Sequence, residues 1–202
     1  MSPSRLNPGC LLVLLVLGVC LVEQAESTTA SKPAIPESGD PLPKIVLPLP
    51  TDRAQLDYLG LNALRAQTFA LQDVAADLVV VEIFSMYCPH CQHEAPKVNT
   101  LFSALKKRPD SAPRIRLLGI GVGNSPMEVD VFRKTYKIVF PLFPDGNFTI
   151  HKQLGEVRTP FFFAFRPGRP APLKLGLTHL GPFKTVDAFL TRLDRLAREQ
   201  TP

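Results

Sequence analysis

Leu78-Val79-Val80-Val81-Glu82-Ile83-Phe84 runs through Ser85-Met86-Tyr87 into Cys88-Pro89-His90-Cys91. The first seven residues are apolar or β-branched except one, the composition of a strand buried on both faces. From Pro89 to Lys107, Ala95, Val98, Leu101, Phe102 and Leu105 recur at helical spacing. A strand therefore ends, and a helix begins, at two cysteines three positions apart. Pro89 suits that junction, because a first-turn residue has no N–H bond to lose and proline pre-sets the helical φ.

The placement gives the cysteines a chemistry. First-turn N–H groups of a helix are unpaired and the dipole there is positive, so a Cys88 thiolate is stabilised. His90 adds to this as a donor or a cation. Such surroundings lower a cysteine pKa from about 8.5 into the range of about 3.5–7.5. Cys91 falls on the same helix face one turn later, placed to attack a mixed disulfide at Cys88. A purely structural disulfide around so short a loop would stabilise little. A zinc site would need a second ligand pair, and Cys10 and Cys20 lie far upstream. His90 and His93 keep open a non-enzymatic alternative, a module that binds copper or a partner protein. No cofactor or resident metal is expected.

Two acids flank the pair. A carboxylate at Glu82, inside an apolar strand, is costly unless paired or neutral. Burial raises its pKa, which suits a proton acceptor for Cys91. The alternative is a strand-edge residue reaching solvent. Glu94 lies one turn beyond Cys91, placed either to relay protons or to be a solvated helix-face carboxylate. Pro96 should kink the helix.

Outward from this centre the pattern alternates. Ile115–Val122 reads as a strand, 126–137 as a helix opened by Pro126, and Phe161–Phe165 as a strand. Arg166-Pro167-Gly168-Arg169 reads as a turn, with 174–180 returning antiparallel. Val186, Phe189, Leu190, Leu193, Leu196 and Ala197 form a last helix face with Thr185 as N-cap. Tyr58–Leu61 and Thr68–Gln72 read as a short leading hairpin. The order predicts an α/β domain, a central mixed β-sheet flanked by helices.

Upstream, Cys10 to Val22 is an unbroken apolar run of 13 residues. Crossing a bilayer takes roughly 20, so residues 1–27 read as a signal peptide or an N-terminal membrane anchor, with a lipid-modified Cys20 as a third form. Either way the rest of the chain leaves the cytoplasm, to the periplasm or another extracytoplasmic space. Residues 28–50 carry six prolines and read as a stiff spacer that supplies no core, so the domain is expected over 51–202. The net charge is +5, with the 23 Lys and Arg scattered. That argues against a nucleic-acid partner.

From Thr68 to Ala197 the chain resembles the thioredoxin-like superfamily, most closely its extracytoplasmic TlpA/ResA-like branch. Cys88-x-x-Cys91-x-x-Glu94-x-Pro96 matches the branch's CxxCxxExP pattern. Phe140-Pro141 leading to Asp145-Gly146, Val157-Arg158-Thr159-Pro160 before an aromatic strand, and the closing hairpin and helix add to it. The resemblance implies that Cys88 is the nucleophile and Cys91 the resolving thiol. It implies that Pro160 is cis and lies against the cysteines, with the Thr159 backbone free to pair with a substrate chain. Thr159, Pro160 and Pro89 are the expected substrate contacts. It also implies protein thiols or disulfides as partners, a membrane redox partner that resets the site, and a monomer. An acid at the Glu82 position departs from the branch and is closer to the Asp of thioredoxins and the Glu of DsbA-like oxidases.

Motif and scaffold point to different directions of electron flow. Cys-Pro-His-Cys is the tetrapeptide of DsbA-like oxidases. Yet the 69 positions from Cys91 to Pro160 leave no room for the helical insertion of that group. The PxxxTxxC arrangement of peroxiredoxins is absent. The reading is a thiol–disulfide oxidoreductase, with a TlpA/ResA-like reductase ahead of a DsbA-like oxidase.

Overall fold

The computed structural model describes residues 34–168 and 172–199. The expected signal or anchor segment, the start of the spacer and Arg169 of the expected turn lie outside the described residues.

Five strands form the central sheet in the order β5-β4-β3-β6-β7. They are β3 (Leu78–Phe84), β4 (Ile115–Val122), β5 (Leu142–Asp145), β6 (Phe161–Phe165) and β7 (Leu175–Leu180). β3 runs parallel to β4, β4 parallel to β5, and β6 antiparallel to both β3 and β7. Every residue of β3 is buried, as its composition predicts for a central strand covered on both faces. The sheet is mixed and flanked by helices, the expected thioredoxin-like architecture.

Strand alternation divides the core in two. Leu78, Val80 and Phe84 face α2 (Pro89–Lys106), α3 (Pro126–Thr135) and α5 (Val186–Arg198). Val79, Val81 and Ile83 face the other cluster, which holds Leu59, Phe69, Ile150 and Leu154. Glu82 therefore projects towards α2, with Phe162 and Gly119 as its register partners. The helices start where the caps predict. Thr185 accepts the Ala188 N–H at 3.2 Å, and Ser125 and Glu128 close a reciprocal capping box ahead of α3.

Two expectations at the N-terminal side are corrected. Residues up to 50 do contribute core: Val46–Pro48 is strand β1, with Ile45 and Leu47 buried. The physical reason is the alternation of Ile45, Leu47 and Leu49, while β1 pairs on one side only, where proline is tolerated. Further upstream, Gly39 donates to the Leu175 carbonyl at 2.7 Å and Pro41 bridges Lys174. The leading hairpin is also replaced. Arg53–Leu59 is helix α1, capped by Asp52 and ended by Gly60 at φ 70°, and β2 (Thr68–Ala70) pairs instead with β1. A side chain at Gly60 would put Cβ 2.4 Å from that of Ala75. Helix α4 (Thr149–Gln153) is short and was not foreseen.

Candidate active site

Cys88 is the N-cap of α2, with Pro89 at the first helical position. The turn that delivers it is pinned from three sides. Asn124, fully buried at the end of β4, accepts the Met86 N–H at 2.8 Å. The Gln92 side chain donates to the Met86 carbonyl at 2.7 Å, and the Cys88 N–H donates to Ser85 at 3.0 Å. Gly121 leaves room for this clamp, since a Cβ there would lie 3.1 Å from Asn124 Oδ1.

Opposite Cys88, the Thr159–Pro160 peptide bond is cis. The pairing of β6 with β3, which begins at Ile83↔Phe161, brings it to the end of β3. The Cys88 thiol donates to the Thr159 carbonyl at 3.3 Å. Pro160 is buried and Thr159 half-buried beside the sulfur, whereas Pro89 is exposed.

Cys88 and Cys91 are both free thiols with opposite character. Partial burial acts to raise the Cys88 pKa, but it is outweighed. The Thr159 side chain, the Cys91 N–H and thiol and the His90 N–H all favour the thiolate, so the pKa falls below the ordinary cysteine value. Neither N–H closes a full capping hydrogen bond; their dipoles point at the sulfur. Cys91 is fully buried. Burial foremost, then the Cys88 thiol and the charges of Glu82 and Cys88, push its pKa up against the Ser85 backbone. A half-buried thiol of lowered pKa thus stands before a fully buried one that keeps its proton.

Glu82 is buried, not at a solvent-reaching strand edge. Burial, reinforced by the Glu94 and Cys88 charges, pushes its pKa up to about 8. Glu94 is buried as well. One carboxylate oxygen accepts the Phe183 N–H at 3.1 Å and the other pairs with Lys97 at 3.0 Å. Lys97 in turn donates to the Phe183 carbonyl at 2.8 Å. The solvated-face alternative for Glu94 therefore does not hold; it ties α2 to the segment between β7 and α5. The His90 side chain is exposed, and its effect on Cys88 comes through its backbone N–H.

Asn124, Lys97 and Tyr87 are parts of the site that were not anticipated. Lys97 was within reach of sequence reasoning as the i,i+3 partner of Glu94. Tyr87 directly precedes Cys88 and donates to Glu128 on α3. Nothing local marks Asn124, whose partner lies 38 positions away. Among the described residues no group of three or more His, Cys, Asp or Glu forms a metal centre.

The AhpC/TSA family profile matches residues 39–173. The chain belongs to the AhpC/TSA family. Solved structures agree with this family's architecture. A candidate thiol:disulfide interchange protein DsbE from Chlorobium tepidum is similar at 15% identity and TM-score 0.58, over 80% of this chain and 99% of that one. A candidate protein disulfide isomerase from Bacteroides thetaiotaomicron is similar at 17% identity and TM-score 0.60, over 82% and 92%. A thioredoxin-family thiol:disulfide interchange protein from Chlorobium tepidum TLS is similar at 18% identity and TM-score 0.50, over 79% and 94%. At these identities the likeness establishes the thioredoxin-like fold. No curated protein matches the chain by sequence. This AhpC/TSA member begins its match at residue 39, in line with the Gly39 and Pro41 contacts to the sheet.

Proposed function

We propose that the protein is an extracytoplasmic thiol–disulfide oxidoreductase that works through Cys88 and Cys91, with electrons flowing from the protein to substrate disulfides. The observation that carries this is the opposed character of the two thiols at the start of α2, beside a cis-proline loop. The Cys88 thiolate attacks one sulfur of a substrate disulfide, forming a mixed disulfide and releasing the other sulfur as a thiolate. Glu82 in its ionised form accepts the Cys91 proton. The Cys91 thiolate then attacks Cys88 Sγ, closing the Cys88–Cys91 disulfide and releasing the second substrate thiolate. Two electrons pass to the substrate, and a membrane redox partner returns the pair to the dithiol.

Burial explains why Glu82 suits this role, because a raised carboxylate pKa is a stronger base facing the weakly acidic Cys91. Glu94 ties the inward face of the helix to Phe183 and adds negative charge beside Glu82. The extracytoplasmic location rests on the apolar run at 10–22. The reductive direction rests on the scaffold: only α3, β4, β5 and the short α4 lie between α2 and the cis-proline loop. The oxidative reading is favoured by the Cys-Pro-His-Cys sequence and the acidic Cys88 thiol, since a stable thiolate makes the disulfide more oxidising.

Two experiments test this. Cys88→Ser should abolish insulin disulfide reduction, while Cys91→Ser should accumulate mixed disulfides with extracytoplasmic proteins. A Cys91→Ser variant that captures no partner overturns the mechanism. Equilibration with glutathione gives the direction. A reduction potential near about −120 mV replaces the reductase with the oxidase.

A further inference from the structure

Two buried carboxylates lie behind the cysteines, and their surroundings differ. Glu82 on β3 has no hydrogen bond or ion pair among the described residues; burial and the charges of Glu94 and Cys88 are what act on it. Glu94 on α2 has a partner for each oxygen, the Phe183 N–H at 3.1 Å and the Lys97 ammonium at 3.0 Å. Lys97 is tethered independently of Glu94. It donates to the Phe183 carbonyl at 2.8 Å and lies 5.3 Å from the centre of the Phe183 ring. That ring packs edge-on against Phe162 at 5.5 Å, and Phe162 is the register partner of Glu82. The two acids therefore border one aromatic cluster, with a cation fixed on only one of them. From β7 and α5, His179 packs against Phe162 and Phe189, and Arg192 lies over Phe189. Neither bonds to Glu82 or Glu94 among the described residues, and Lys184, next to Phe183 in the chain, is exposed.

We propose that Lys97 is a positioning residue for the proton transfer: by holding Glu94 as the charged member of the buried pair, it leaves Glu82 as the one carboxyl that takes and gives up the Cys91 proton. The inference rests on the thiol-exchange reading and deepens it by naming what decides which acid serves as the base. Two carboxylates that repel one another in a buried site do not both ionise readily, so a proton stays on the pair. Its place is set by how each anion is stabilised. At Glu94 an amide and an ammonium favour the charged form, and Glu82 has neither. In the closing step the Cys91 proton passes to ionised Glu82, the Cys91 thiolate attacks Cys88 Sγ, and the bound sulfur leaves as a thiolate. Glu94 does not substitute for Glu82 in this step, because both of its oxygens are engaged by Phe183 and Lys97.

The test uses the full chain carrying Cys10→Ser and Cys20→Ser, mixed rapidly with an excess of the aromatic disulfide dithiobis-nitrobenzoate. Attack by the Cys88 thiolate forms a mixed disulfide and releases one thionitrobenzoate. Attack by the Cys91 thiolate closes the Cys88–Cys91 disulfide and releases a second, so the rate of the second release against pH reports the closing step. With Lys97 in place that rate should rise through a single titration near pH 8, where Glu82 ionises. Lys97→Met and Lys97→Gln should each spread the rise over about twice the pH range, since the two acids then share the proton. Lys97→Arg keeps the cation and should restore the single step. In a Glu82→Gln background, Lys97→Met should leave the profile unchanged. A single step with an unmoved midpoint in Lys97→Met, whatever its rate, overturns the proposal and makes Lys97 merely structural. Spreading that persists in the Glu82→Gln background also overturns it, because the effect then bypasses Glu82. Release of only one thionitrobenzoate by the chain with Lys97 in place overturns the thiol-exchange reading itself, an outcome distinct from an unmoved profile.

Discussion

The sulfur of Cys88 and the carbonyl oxygen of Thr159 meet at 3.3 Å although 71 positions separate them in the chain. This contact puts the proposed nucleophile and the segment expected to hold substrate on one surface. In the dithiol form the Thr159 carbonyl accepts from the thiol, a bond that favours the protonated state. The side chain of the same residue favours the thiolate, as do the amides at the start of α2. Release of the proton therefore frees the Thr159 carbonyl at the moment an incoming chain would pair with it.

His90 acts on Cys88 through its N–H, which separates two substitutions that the sequence treats alike. His90→Pro deletes that N–H and should raise the Cys88 pKa; His90→Ala keeps it and should change the pKa much less. Thiolate absorbance against pH measures both. A larger rise in the Ala variant would return the effect to the imidazole.

Glu82 makes stability depend on pH with a definite sign. In the folded chain it keeps its proton up to about pH 8, against 4.5 for an ordinary glutamate. Between those values the folded state binds more protons than the unfolded one, so stability falls as pH rises from about 4.5 to 8. Glu82→Gln should remove that slope and gain roughly 2–4 kcal/mol at pH 8. The same variant should slow closure of the Cys88–Cys91 disulfide at least about tenfold. Denaturant midpoints across pH and single-turnover kinetics give the two readouts. A wild-type midpoint that rises through this window contradicts the assignment.

Glu94 and Lys97 should differ in cost. Glu94→Ala leaves the Phe183 N–H without its acceptor and should cost about 2–3 kcal/mol. Lys97 is about one-third exposed, so solvent screens its pairing, and Lys97→Met should cost about 1 kcal/mol or less. Equal losses in chemical denaturation would mean that the ion pair, and not the Phe183 bond, dominates.

Tyr58 anchors α1 to a strand edge. Its hydroxyl accepts the Leu117 N–H at 2.7 Å and donates to the Leu117 carbonyl at 3.3 Å, ahead of the point where β5 begins to pair with β4 at Gly119. Burial foremost pushes the phenol pKa up to about 12. Tyr58→Phe should cost about 1–2 kcal/mol in a denaturant titration, and the Leu117 amide should lose hydrogen-exchange protection.

Strands β3, β4 and β6 were legible in the sequence because burial on both faces leaves unbroken apolar runs. The start of α2 was legible because Pro89 and the cysteines mark it. What escaped depends on distant partners. The pairing of β1 with β2 needs residues 46–48 and 68–70 to meet, and the proline content of 28–50 masks the alternation of Ile45, Leu47 and Leu49. In the site, the residue types of Cys88, Cys91 and Glu82 carry their own chemistry. The Asn124 clamp and the Phe183 N–H bond to Glu94 run from a side chain to a distant backbone amide, which no side-chain pattern announces.

The prolines also guard the rims of the sheet. Pro41 lies against the start of β7, and Pro144 sits within the outermost four-residue strand β5. A proline offers no N–H to a neighbouring chain, so both rims are poor templates for edge-to-edge aggregation. An oxidoreductase that acts, as proposed, on protein disulfides gains from this. Under the proposed function, strand addition is discouraged at the margins and left to the Thr159 loop.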